Sequence, residues 1–183
     1  MNKKALRTVC EQFDGKHTDP LERAMADCRD RRGLLDDALA LAKLGGTDRF
    51  MVAATWLLLN GSRDDDEFVA GHAEQWVALL AEAGHWEVRL HLLQLLDGVE
   101  MSERLGTKSQ LALWKVAVGT AGDDNKLVRA WSLSVLGRLG GCLKKAQGEI
   151  GALIRRAEKE EAASVKARIR RLHKDGSLKW LTD

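Results

Sequence analysis

The sequence predicts an all-α protein built as a short array of helical hairpins, each stacked on the next. Three observations lead there. The chain has 183 residues, a length for one domain or one short repeat array, and 45% of them are hydrophobic, too many for a disordered chain. Apolar residues recur at spacings of three and four almost throughout. One proline, no tyrosine and three phenylalanines, set among recurrent Ala and Leu, disfavour a sandwich or barrel of short aromatic strands.

Taken in order, residues 1–33 are the least regular and read as an N-terminal cap. Within them Asp19-Pro20 followed by Glu22 supplies an N-cap, a proline at the first helical position and an acid in the first turn. Leu21, Met25, Cys28, Leu35, Ala38 and Ala42 continue one apolar stripe to Leu44, where Gly45-Gly46 ends it. The stripe crosses Gly33, which predicts either one long helix or two broken near Arg32-Gly33. Further helices are expected over 47–59, 66–83, 85–96, 102–120, 124–139, 143–159 and 162–174, separated by short Gly, Asp and Asn signals. Residues 34–174 form the repeats, and 175–183 close the array as a tail.

These helices fall into pairs, and the second members can be laid over one another at Val52, Val88, Val128 and Val165. The separations are 36, 40 and 37 residues, the period range of stacked helical hairpins. A hairpin cannot bury its apolar stripe alone, so stacking is what completes the core.

The Val-Arg or Val-Lys pair near the start of each second helix follows short acidic turns such as Asp123-Asp124. Leu and Ala positions come after it at helical spacing, as in Val135-Leu136 and Leu139-Gly140. In these features the chain resembles HEAT repeats over roughly Leu34 to His173, most clearly from Asp123 to Gly140, with Ala53 in place of the base in the first repeat. The resemblance implies a right-handed α-α superhelix of about four hairpins with helical caps. It also implies that the second helices line the concave side.

Placed in that register, the column after the valines reads Ala53, Arg89, Arg129 and Lys166. Two columns on come Thr55, His91, Trp131 and Arg168. Arg and Trp are favoured interface anchors, so Arg89, His91, Arg129, Trp131 and Lys166 are candidate binding residues, with Arg138 and Arg170 at the edges. The competing structural reading pairs these bases with turn acids of the preceding repeat and packs Trp131 between hairpins.

A net charge of +2 conceals an uneven distribution. Residues 60–100 hold Arg63 and Arg89 against nine acids, a balance of −7, whereas residues 144–183 hold eleven bases against six acids, a balance of +5. A basic end attracts phosphates or acidic proteins, and it also suits the solvated last face of a repeat array.

Chemical alternatives find little support. His72, His85 and His91 lack the spacing of a helical zinc motif. HEAT-like di-iron hydroxylases use His-Glu dipeptides, but here the pattern is His72-Ala73-Glu74 and His85-Trp86-Glu87, so no metal or cofactor is expected. The HEAT-like alkylpurine DNA glycosylases carry a carboxylate beside concave aromatics, whereas Asn60 follows Trp56 and Val135 follows Trp131 at that offset. Gly137-Arg138-Leu139-Gly140-Gly141 reads as a helix C-cap rather than a phosphate loop. Cys10, Cys28 and Cys142 are odd in number and widely spaced, which predicts reduced thiols. Neither a secretory leader nor a membrane span is expected, the longest apolar run being 51–59. The sequence therefore predicts a cytoplasmic, non-enzymatic scaffold that binds a protein partner through its second helices, with nucleic-acid binding as the alternative.

Overall fold

A computed structural model describes residues 2–181. Met1, Thr182 and Asp183, which the sequence assigns to the basic N-terminus and the tail, lie outside them. Twelve α-helices and one 3-10 turn make up the regular structure of the described residues, and helix accounts for 76%. The helices are α1 Lys3–Gln12, α2 Asp19–Ala26, α3 Arg31–Leu44, α4 Asp48–Gly61, α5 Asp66–Gly71, α6 Ala73–Glu82, α7 Trp86–Asp97, α8 Met101–Arg104, α9 Thr107–Thr120, α10 Lys126–Gly140, α11 Gln147–Glu160 and α12 Ala163–Asp175.

Two predicted helices are split, each for a visible reason. Over 66–83 the chain breaks at His72, whose ring Nδ1 bonds the Phe68 carbonyl at 2.8 Å while Trp76 Nε1 donates to the Val69 carbonyl at 2.8 Å. Side chains thus take the two carbonyls that a continuing helix would give to its own amides. Over 102–120 the chain breaks at Leu105-Gly106, where Gln110 Nε2 donates to the Met101 and Leu105 carbonyls and Glu74 accepts from the Gly106 amide. The open question at Gly33 resolves as two helices, with the break at residues 27–30. Asp30 caps α3 by accepting from the Gly33 amide at 2.9 Å.

Packing follows the pairing. α3 packs on α4, α6 on α7, α9 on α10 and α11 on α12. The second members also pack in succession, α4 on α7, α7 on α10 and α10 on α12, while α6 packs on α9. α1 lies on α3 and α4, and α2 on α1 and α4. The anchor valines Val52, Val88, Val128 and Val165 are all buried, within one apolar cluster that runs from Leu6 to Leu178. Each fully buried leucine in it, such as Leu57, Leu93 or Leu136, contributes on the order of 2 kcal/mol of hydrophobic stabilisation.

The 137–141 run does end a helix, with Gly140 the last residue of α10 and Gly141 its cap, while Gly137 stands one turn earlier. Gly137 and Gly140 are both buried. A side chain at Gly140 would run into the Trp180 indole, and one at Gly137 would meet Leu172 and Leu178. Trp180 Nε1 donates to the Gly137 carbonyl at 2.7 Å, so the tail is laid onto α10 where the helix has no side chains.

No helix among the described residues is long and apolar enough to cross a membrane. Among the described residues Cys10, Cys28 and Cys142 form no disulfide, and burial pushes the Cys10 thiol up to about 12.

Candidate functional site

The residues singled out from the sequence divide into three groups. Arg89, Arg129 and Lys166 are fasteners. Each reaches back over the turn before its own helix: Arg89 Nε donates to the Ala83 carbonyl at 2.9 Å, Arg129 to the Asp123 and Asp124 carbonyls at 2.9 and 3.0 Å, and Lys166 Nζ to the Lys159 carbonyl at 2.8 Å. Those carbonyls stand at or just beyond the ends of first helices, where α-helical bonding leaves acceptors unpaired. Arg89 and Arg129 also reach forward, to Asp123 at 2.7 Å and, with two nitrogens, to Glu161 at 2.8 and 3.0 Å. The turn acids therefore come from the following hairpin, not the preceding one. The Arg129 hydrogen bonds hold the Glu161 carboxyl below its ordinary range.

His91 is internal. Only 9% exposed, it meets Thr55 of α4 at 3.0 Å through Nδ1. The Thr55 hydroxyl also lies 2.8 Å from the Met51 carbonyl, so its proton is directed there and the imidazole Nδ1–H donates to Oγ1. Burial first, and the neighbouring His85 second, push its pKa down to about 4. Arg170 is exposed on α12, one turn beyond Lys166.

Trp131 and Arg138 belong together, in company that the sequence reading did not select. The Arg168 guanidinium lies 3.3 Å above the Trp131 ring, a close cation–π stack. Asp97, in the last turn of α7, accepts from Ser134 Oγ at 2.6 Å, Arg138 Nε at 3.0 Å and Arg168 at 3.1 Å. Arg168 Nε also donates to Ser134, and Arg138 extends to Ser177 and Asp175. Two guanidiniums are thus matched by two carboxylates. The Asp97 and Arg168 side chains are only 12% and 13% exposed, and burial lowers the Arg168 pKa despite the attraction of Asp97.

One signal in the sequence pointed at this cluster. An acid in the last turn of a helix opposes the helix dipole unless a cation answers it, and Asp97 occupies that position. Arg168 shares the register column of Trp131, and the same column brings Thr55 to His91. Ser134 carries no such signal, because its role depends on the stagger between α7, α10 and α12.

Some of the positions that are not fully buried form stripes at helical spacing. On α7 they are Trp86, Leu90, Gln94 and Asp97; on the adjacent α10 they are Leu127, Trp131 and Arg138. One end of this face is apolar, with Trp86 and Leu127 exposed and Leu90 and Trp131 half-buried, and the other end is the Asp97 cluster. Among the described residues no group of three or more His, Cys, Asp or Glu side chains could hold a metal.

No protein-family model matches the chain, and comparisons with curated proteins and with solved structures likewise find no match.

Proposed function

We propose that the chain is a HEAT-like α-solenoid that works as a non-enzymatic adaptor, binding a protein partner through the exposed face of α7 and α10. The observation that carries this reading is the state of the Trp131 stack. Its cations are neutralised within the cluster while the indole remains half-exposed beside Leu90 and Leu127. An aromatic anchor flanked by fixed guanidiniums is the composition favoured at interface centres. The solenoid is supported by hairpin pairing, by successive packing of the second helices, and by the contacts made within one register column.

The test is a photo-crosslinking amino acid placed at Gln94, on the proposed face, and separately at Lys108 on α9. In extracts of the native cell the Gln94 probe should give a discrete protein adduct that the Lys108 probe lacks. Trp131→Ala should abolish it while circular dichroism stays native. Equal labelling from both positions, or an adduct indifferent to Trp131, would exclude this face.

A second reading rests on α12, where Arg170, Arg171 and Lys174 are exposed and make no ion pair among the described residues. They suit a phosphate backbone. That reading requires oligonucleotide binding that weakens steeply with salt and is lost on Arg170→Glu; no binding at low salt removes it.

A further inference from the structure

The row of turns joining first to second helices carries one missing member. At the second and third hairpins, Arg89 and Arg129 cap the carbonyls of their own turn and reach the acid of the next one. Both guanidiniums line the clefts between successive turns, Arg89 beside Asp123 and Arg129 beside Glu161. At the first hairpin the corresponding residue is Ala53, buried and without a polar side-chain atom. Among the described residues no side chain bonds a carbonyl of the 41–46 segment.

Between the α3–α4 turn and the α6–α7 turn lies a cleft of about 260 Å³. Leu44, Met51, Leu79 and Val88 are among its apolar lining, and its ionisable side chains are Asp48, Glu82, Lys43 and the His85 imidazole. Neither carboxylate makes an ion pair or side-chain hydrogen bond among the described residues. Leu44 stands at its edge 68% exposed, more so than Leu127 or Trp86.

We infer that this cleft receives an arginine side chain from a partner protein, in a segment where an aliphatic residue beside that arginine covers Leu44. The neighbouring clefts state the chemistry, since each is completed by a guanidinium between turn carbonyls and a carboxylate. Here the chain supplies carboxylates, α3–α4 turn carbonyls that no side chain of the described residues bonds, and apolar walls for the methylene stem, but no guanidinium on that turn. The site lies on the turn edge of the array, and it does not depend on what the α7–α10 face binds.

The probe is acetyl-Leu-Arg-Leu-amide, titrated into the full ¹⁵N-labelled chain and followed by amide shifts. Saturable shifts are expected at Gly45, Gly46, Ala83 and Gly84. Binding should weaken about tenfold when glutamine replaces the arginine of the peptide, and by a similar factor in the Asp48→Asn/Glu82→Gln variant. Both positions are exposed, so the variant should keep its fold, and Trp131→Ala should leave this binding unchanged. Unmoved turn amides, or equal binding of the glutamine peptide, would overturn the inference.

Discussion

The contact of α4 with α7 and that of α10 with α12 use the same register column and fill it with opposite chemistry. Between α4 and α7 the column brings Thr55 to His91, a neutral pair shut off from water. Between α10 and α12 it brings Trp131 to Arg168, a cation on a ring, held by a carboxylate that arrives from α7. The two contacts are both between packed helices but differ in chemistry, so each has its own weakness. The neutral contact fails when it gains a proton, and the charged one fails when it loses a partner.

The largest effect should come from Asp97→Ala. It leaves the mostly covered Arg168 and the half-buried Arg138 with their shared acceptor gone, at a cost of about 3 kcal/mol in urea unfolding. A loss below ~1 kcal/mol would mean that water or Asp175 replaces the carboxylate and that the cluster is not what holds α12.

Acidification should strike the other contact. The His91 pKa lies below that of an unfolded-chain imidazole, so the unfolded state binds the extra proton first. Stability is whole above about pH 6.5 and declines as pH falls toward about 4. Between pH 7 and 5 the His91 contribution amounts to about 2 kcal/mol. His91→Gln should flatten that part of the profile, and an unchanged slope would place the acid sensitivity elsewhere.

Arg129→Ala should cost about 1 kcal/mol, since it removes a two-nitrogen pair with Glu161 along with the turn cap, both partly solvated. Arg170→Glu, on an exposed position, should stay within ~0.5 kcal/mol in the same unfolding assay. The reverse order would show that the exposed C-terminal helix, rather than the interhelix turns, carries the electrostatic stabilisation.

How much of this was readable in advance varied with the physics involved. The valine register was legible because burial of one stripe per helix is a local, periodic demand. The two split helices were not, since the apolar spacing runs on through His72 and Gly106 and only side-chain bonds to backbone interrupt it. Trp131 and Arg138 were legible as candidates, but their company was not. Asp97 looked like one acid among nine in an acidic segment, and its partners lie on other helices at a stagger that no single-helix pattern encodes. The glycine run was legible as a helix end, but its second role was not: Trp180, which packs where Gly140 has no side chain and donates to the Gly137 carbonyl, lies far along the chain.

The reach of Asp97 to Arg168 bears on how the molecule comes apart. In an array where each pair of helices touches only its neighbours, the last pair can fray while the rest stands, and melting spreads inward step by step. Asp97 skips a member: it sits on α7 and holds α12, with α10 between and a sequence separation of 71 residues. Releasing α12 therefore strips a partner from α7 as well, tying the second, third and fourth pairs into one cooperative unit. Hydrogen exchange would register this as amide protection in α12 comparable to that of α10, and Asp97→Ala would turn a single unfolding step into a terminal fray that precedes it.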